Sequence, residues 1–361
     1  MGSFFLYIFI LLFSTIFVWL SERAKTVEGR YAFLSISFFI VFVPSAIRYG
    51  VGTDFFSYYD IYRYQDYVTK NEYGFYFINA FLRTLGLSAQ WAMAAYAFIF
   101  TLVGYFSYPR KNAWIYHVLF ISMVLFFSFN GVRQAISVSF LLLAFKFELK
   151  GRALLFLVFA FIASTFHQSA LFIFPLFLFS KLPFNPVFKD NIFPLFVSVV
   201  TVFIWLGPSV FGYIQKMSAA LNLPYFHYFE SDYFQKTNTN TGVVVLLKSF
   251  SALVLIWFSS KVLRLSSGGW LIMVVCGFYV ILYSLANQSA AFGRLAWAFI
   301  PGVMLLIYFC FNVFLKKSIV WFAFISFVIL IYVFPYLSQS VSVINDPTHD
   351  NSYQVFFDQQ R

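Results

Sequence analysis

Residues 4–20 read FFLYIFILLFSTIFVWL, and runs of this kind recur along the chain. A run of about 20 apolar residues has the length of a helix that crosses a ~30 Å hydrocarbon layer. Several of them cannot be hidden inside one soluble core. The runs also lack the alternation of polar and apolar residues that marks a membrane barrel. Charge agrees with this reading: only 10% of residues are Asp, Glu, Lys or Arg, against roughly 25% in soluble domains. The fold class read from the sequence is therefore all-α, a polytopic membrane protein forming a single integral membrane domain over residues 1–361. No small-residue cleavage pattern follows the first run, so it is expected to stay as a span.

Twelve spans are expected, near 3–20, 31–47, 89–107, 114–130, 132–147, 153–166, 168–180, 191–207, 242–260, 270–286, 293–314 and 318–336. The sixth and seventh are short for the layer, so one of them is expected to be tilted, broken or re-entrant. With residue 1 outside, the inner loops are 21–30, 108–113, 146–152, 181–190, 261–269 and 315–317. They hold 14 of the 24 Lys and Arg and four of the 13 Asp and Glu, so +10 of the net +11 lies there. That is the excess of cytoplasmic basic residues seen in membrane proteins, and it places both termini outside. The basic composition thus reports topology and gives no reason to expect a nucleic-acid partner. Cys276 and Cys310 each sit inside an apolar run, as small packing residues without metal-type spacing.

Three outer segments are long: 48–88, 208–241 and the polar tail 337–361. Within the first, NEYGFYFINAFLRTLG (71–86) breaks its apolar residues with Glu72, Asn79 and Arg83, as an amphipathic helix at the outer interface would. The tail is expected to be partly mobile.

Once the inner basic residues are set aside, the remaining charges fall at one depth, near the outer face. Arg48 closes the second span, Arg133 sits in FNGVRQAIS between the fourth and fifth, and Arg294 sits in AAFGRLAW at the start of the eleventh. His167 lies in STFHQSA between the sixth and seventh, and Asp54 lies in GVGTDFF. Two readings stay open for the arginines. They can snorkel to headgroups, or they can grip an anion, since guanidinium binds phosphate oxygens at two points. The depletion of basic residues on outer loops favours the second. A diphosphate headgroup is the simplest anion for several arginines at one depth. His167 is read either as an interfacial histidine held by Gln168 and Ser169 or as a general base, because imidazole titrates near neutrality. Asp54 competes for the base role and is otherwise an ion-pair partner of the arginines. His117 and His349 are read as structural or surface residues, and His227 as a loop residue near a possible sugar subsite.

Tyrosines crowd the same region. Tyr58 and Tyr59 offer flat faces with polar tips, suited to an aromatic belt or to sugar rings. Gly50 and Gly52 in YGVGTD allow a sharp turn. No phosphate-binding G-x-x-x-x-G-K-[ST], no G-x-G-x-x-G, no D-x-D and no H-E-x-x-H or G-x-S-x-G occurs, so neither a nucleotide, a metal-bound nucleotide sugar nor a common membrane hydrolase is indicated.

The segments RYGVGTDFFSYYDIY (48–62), EYGFYFINAFLRTLG (72–86), FNGVRQAISVSFLLLAFKFELKGR (129–152) and ASTFHQSALFIFPLF (163–177) resemble the EpsG family of polysaccharide-assembly membrane proteins, which is similar to Wzy-type O-antigen and capsule polymerases. The likeness covers roughly 30–180 and, later, FGRLAW. It implies a GT-C-like architecture in a bacterial plasma membrane. It also implies joining of oligosaccharide repeat units carried on undecaprenyl diphosphate, as donor and acceptor, at the outer face. On this view Arg48, Arg133 and Arg294 neutralise the leaving diphosphate, and His167 or Asp54 takes the acceptor proton. Tyr58, Tyr59, Gln134, Glu72, Arg83 and His227 are then candidates for the sugars. Neither metal nor other cofactor is called for, and the expected partners are membrane lipids and a flippase and chain-length regulator of the same pathway. Two other classes compete: a lipid-linked oligosaccharide flippase, and an acyltransferase using His167. A transporter would carry polar residues through the membrane depth. Here only Lys248 and a few Ser and Asn lie deeper.

Overall fold

A computed structural model describes residues 2–64, 72–183, 242–263, 267–287, 290–314, 318–345 and 352–356, with a few isolated positions between 191 and 217. The outer segment 208–241 and His227 lie outside the described residues, apart from those isolated positions, and most of the expected span 191–207 does too. The described residues form helices and no named strand. Six helices are long and apolar enough to cross a membrane: Gly2–Arg23, Val27–Ile47, Ala89–Ser107, Ala113–Asn130, Phe292–Val313 and Ile319–Ile344. Four shorter apolar helices have 10–17 residues. The chain is a multi-pass membrane protein.

It divides into two compact units, residues 1–171 with 329–361, and residues 172–328. In the first unit, α1 (Gly2–Arg23) and α2 (Val27–Ile47) form a tight hairpin. Two short helices follow, α3 (Phe55–Tyr64) and α4 (Tyr73–Thr84), then α5 (Ala89–Ser107). The fourth expected span is α6 (Ala113–Phe120), a π turn at Ile121–Leu125 and α7 (Phe126–Asn130), followed by α8 (Val132–Glu148) and α9 (Ala153–Phe166). Helix α5 packs on α2 and α8, and α8 on α9. Lipid tails provide no hydrophobic drive between helices, so polar side chains help to hold them. Ser37 Oγ on α2 reaches the Ser14 carbonyl at 2.8 Å and Tyr105 OH at 2.7 Å, and Ser14 Oγ meets His117 Nε2 at 2.6 Å. His117 Nδ1 lies 2.6 Å from Tyr108 OH, so this buried histidine ties α1 to α6 in a structural role.

The turn expected between the sixth and seventh spans falls at His167. There α9 ends in an extended residue (φ −154°, ψ 124°), a 3-10 turn covers Gln168–Phe172, and α10 (Ile173–Lys181) follows. The expected amphipathic helix is α4, which buries Phe75, Asn79 and Leu82 and exposes Tyr73, Tyr76, Phe77 and Phe81.

The second unit holds α10, α11 (Gly242–Leu263), α12 (Ser267–Ser284), α13 (Ala290–Ala296) and α14 (Ile300–Phe314). Helix α12 is its centre, packed against α10, α11, α13 and α14 and burying Trp270 completely. Cys276 and Cys310 are buried free thiols, as their apolar setting predicts. Lys248 on α11 reaches Tyr283 OH at 3.4 Å and lies 5.3 Å from that ring. Helix α15 (Ile319–Asn345) contributes residues up to 328 to this unit and the rest to the first.

Candidate functional site

The last turn of α2 has carbonyls without helical partners, as every helix end does. Three of them are met by side chains, one from the capping residue itself and two from distant parts of the chain. Tyr353 OH donates to Pro44 O (3.0 Å), Arg48 Nη1 to Ser45 O (2.8 Å) and Gln90 Nε2 to Ala46 O (2.8 Å). A cation at a helix C-terminus also suits the helix dipole. Arg48 is thus enclosed: 2% exposed, its guanidinium carbon 4.7 Å from the Phe129 ring centre. Among the described residues it has no carboxylate partner, and its Nε has no hydrogen-bond acceptor. Burial pulls it below the ordinary arginine value, to about 10, so it stays charged at neutral pH.

Downstream of Arg48 the chain turns at Gly50 (φ 65°) and Gly52 (φ 99°). A Cβ on Gly52 would lie 2.5 Å from Phe129 O. This close approach lets Asn130 Oδ1 accept from Thr53 N (2.7 Å) and from Thr53 Oγ1 (3.1 Å). The VGTD turn is thereby docked on the FNGVR turn, 77 residues away. Asp54 follows, partly exposed, and its carbonyl starts α3 by accepting from Tyr58 N at 3.1 Å.

Arg133, in the first turn of α8, donates from Nη1 to Glu72 Oε2 at 2.5 Å. Its side chain is 21% exposed and that of Glu72 3%. The guanidinium carbon also lies 5.6 Å from the ring centres of Tyr58 and Phe75. Glu72 immediately precedes α4, and Gly74 lets that helix touch the end of α9, where a Cβ would lie 2.4 Å from Thr165 Oγ1. The contact explains the glycine of the EYG element. Two residues beyond Thr165, His167 Nδ1 faces Ser169, 2.8 Å from its Oγ and 3.2 Å from its backbone N. Gln134 Nε2 donates to Ser169 Oγ at 3.5 Å, tethering this turn to the residue after Arg133.

The structure therefore gathers Arg48, Asp54, Tyr58, Glu72, Arg133, Gln134 and His167 at one end of the first unit. Tyr59 is partly exposed and stacks on Phe55 at 5.9 Å; burial raises its phenol value. Arg83 donates to Tyr62 O (3.0 Å) and so braces α3 against α4. Arg294 is an exposed residue of α13, in the second unit. Among the described residues, no three His, Cys, Asp or Glu side chains cluster as a metal site requires.

Two contributors escaped the sequence reading. Asn130, in the quoted FNG, is the acceptor that fastens the VGTD turn; its place before a glycine in a turn is a usable signal. The other is the segment 352–356. Tyr353 N donates to Ser3 Oγ (3.0 Å), Tyr49 N to Gln354 O (2.9 Å), and Val355 forms an antiparallel bridge with Arg48. This part of the expected loose tail is docked, because it supplies a phenol to a carbonyl at the end of α2 and a carbonyl to the Tyr49 amide. No pattern in the sequence announces it.

Compared with known proteins, the chain matches the model of the EpsG family over residues 31–348. No curated protein and no solved structure matches it.

Proposed function

The chain belongs to the EpsG family, and from that premise we propose that it is a polysaccharide polymerase. Its substrates would be oligosaccharide repeat units on undecaprenyl diphosphate, joined at the outer face of a bacterial plasma membrane, within a twelve-span, GT-C-like fold. The observation that supports this reading is the convergence at one end of the first unit. A cation held by a buried carboxylate (Arg133 with Glu72), a second, enclosed cation (Arg48), and two partly exposed groups able to exchange protons (Asp54 and His167) lie at that end.

In the proposed reaction an acceptor hydroxyl attacks the anomeric carbon of the donor. The bond from that carbon to the diphosphate oxygen breaks, and the lipid diphosphate leaves with the electron pair. The hydroxyl proton passes to Asp54 or His167. Arg133 contacts the departing oxygens, a stabilisation that matters most where charge develops. Arg48, being enclosed, acts on them through its field. Tyr58, Tyr59 and Gln134 border the sugars. Neither a metal nor another cofactor takes part in this scheme.

A deletion strain complemented with Arg133→Ala, Asp54→Ala and Arg294→Ala tests it. The expected result for Arg133→Ala is about a 100-fold or greater loss of polymer, with single repeat units on lipid accumulating outside. Arg133→Lys should fail to restore chain growth, because an ammonium cannot make a two-point phosphate contact. Normal polymer from Arg133→Ala would sink the site, and single units trapped inside would identify a flippase instead.

A further inference from the structure

His167 occupies the position of a helix N-cap. Its backbone is extended, its carbonyl accepts from Ala170 N at 3.1 Å, and the 3-10 turn running into α10 begins at the next residue. At such positions Asn, Asp, Ser or Thr usually accepts a hydrogen bond from the backbone N–H two or three residues on. Here imidazole does so: Ser169 N lies 3.2 Å from Nδ1. A backbone N–H can only donate, so Nδ1 must carry its lone pair toward it. The second contact has the same polarity. With Nδ1 an acceptor, the Ser169 hydroxyl 2.8 Å away meets it as a donor, and its oxygen in turn accepts from Gln134 Nε2 at 3.5 Å. A neutral imidazole with an acceptor at Nδ1 carries its proton on Nε2.

From this we infer that His167 serves the polymerase site as a hydrogen-bond donor through Nε2, to an oxygen of the lipid diphosphate or of the sugar joined to it, and does not act as the general base. The inference rests on the proposed function for the identity of the oxygen, but not for the tautomer. A base needs a lone pair facing the acceptor hydroxyl, and in this ring the only lone pair of the neutral form is committed to Ser169. The donor keeps its proton throughout the step. The proton of the attacking hydroxyl then goes to a carboxylate, and Asp54 is the partly exposed one that the fold places at the same end. Ser169 and Gln134 are positioning residues: they set which nitrogen faces the ring's own turn.

Two substitutions separate the cap from the donor. His167→Asn keeps an acceptor for Ser169 N and lacks the distal N–H. His167→Gln can place an N–H near the Nε2 position and cannot accept a proton. The expected outcome is that His167→Asn is as heat-stable as the parent in detergent yet loses about 100-fold in polymer formed. His167→Gln is less stable but stays within about tenfold of the parent in activity, the order expected from weakening a single hydrogen bond. Nitrogen-15 NMR of histidine-labelled parent protein should show a protonated Nε2 and a bare Nδ1 while the ring is neutral. A protonated Nδ1 would overturn the inference directly, whatever the enzyme does. So would His167→Asn with full activity, which leaves only a cap, or His167→Gln as inactive as His167→Ala, which restores the base. A bare Nδ1 combined with normal polymer from every Arg133 variant would overturn the polymerase reading and leave the tautomer standing.

Discussion

The two ends of the first unit both bury polar side chains, but they use them differently. At the end where α1 meets α2, the polar groups seal helix termini. Glu22 Oε1 accepts from Trp114 N at the start of α6 (2.9 Å), and Lys146 Nζ donates to Phe106 O (2.6 Å) and Tyr108 O (3.0 Å) at the close of α5. Acid at a helix start and base at a helix finish is what the dipole favours. At the opposite end Arg48, Gln90 and Tyr353 also close α2, but further groups there meet one another. Arg133 is held by Glu72, Asn130 by the backbone and hydroxyl of Thr53, and Ser169 by Gln134 and His167. Arg48 keeps a buried N–H without an acceptor among the described residues. A buried charge is therefore a poor guide to function until its partner is known. The useful distinction is whether the polar groups of a region only close helices or also pair with one another.

That contrast can be broken most strongly at Glu72. Removing one member of a buried pair leaves the other charge unmatched, at a typical cost of ~3 kcal/mol. Glu72→Ala should lower thermal stability by that order, and adding Arg133→Ala should recover part of it. Strict additivity in the double variant would show that the two do not couple. Gly52→Ala comes next. The positive φ and the 2.5 Å approach to Phe129 O should together cost ~2 kcal/mol and loosen the VGTD turn, read as lower melting temperature and faster proteolysis near residue 52. The smallest effects belong to the other end. Glu22→Gln and Lys146→Met should each cost ~1 kcal/mol, with polymer per folded molecule unchanged. A loss of activity without a loss of folded protein in either variant would erase the distinction between the two ends.

The long described helices were legible because apolar runs leave few alternatives in lipid, whereas the short helix α3 was not expected. The turn at His167 was legible too, as a polar HQS between two apolar runs. The elements Arg48, VGTD, EYG, VRQ and FHQS could be picked out as charges and glycines where the surrounding pattern had no need of them. Their mutual contacts could not. Glu72 and Arg133 are 61 residues apart and Thr53 and Asn130 are 77 apart. Nothing local in a chain encodes which distant turn a glycine is shaped to meet. Arg48 shows the same limit in reverse: its charge was visible, but its enclosure by α2 carbonyls and by Phe129 depends on elements far from it.

The docking of 352–356 has a bearing on biogenesis. Pro44 and Tyr353 are 309 positions apart, and Ser3 and Tyr353 are 350 apart. While the ribosome is still making the later helices, the carbonyl of Pro44 and the amide of Tyr49 have no phenol or strand to join. The enclosure around Arg48 can therefore be finished only after nearly every span has been inserted. A nascent or prematurely stopped chain would lack that part of the enclosure, with the Pro44 carbonyl and the Tyr49 amide left to other partners.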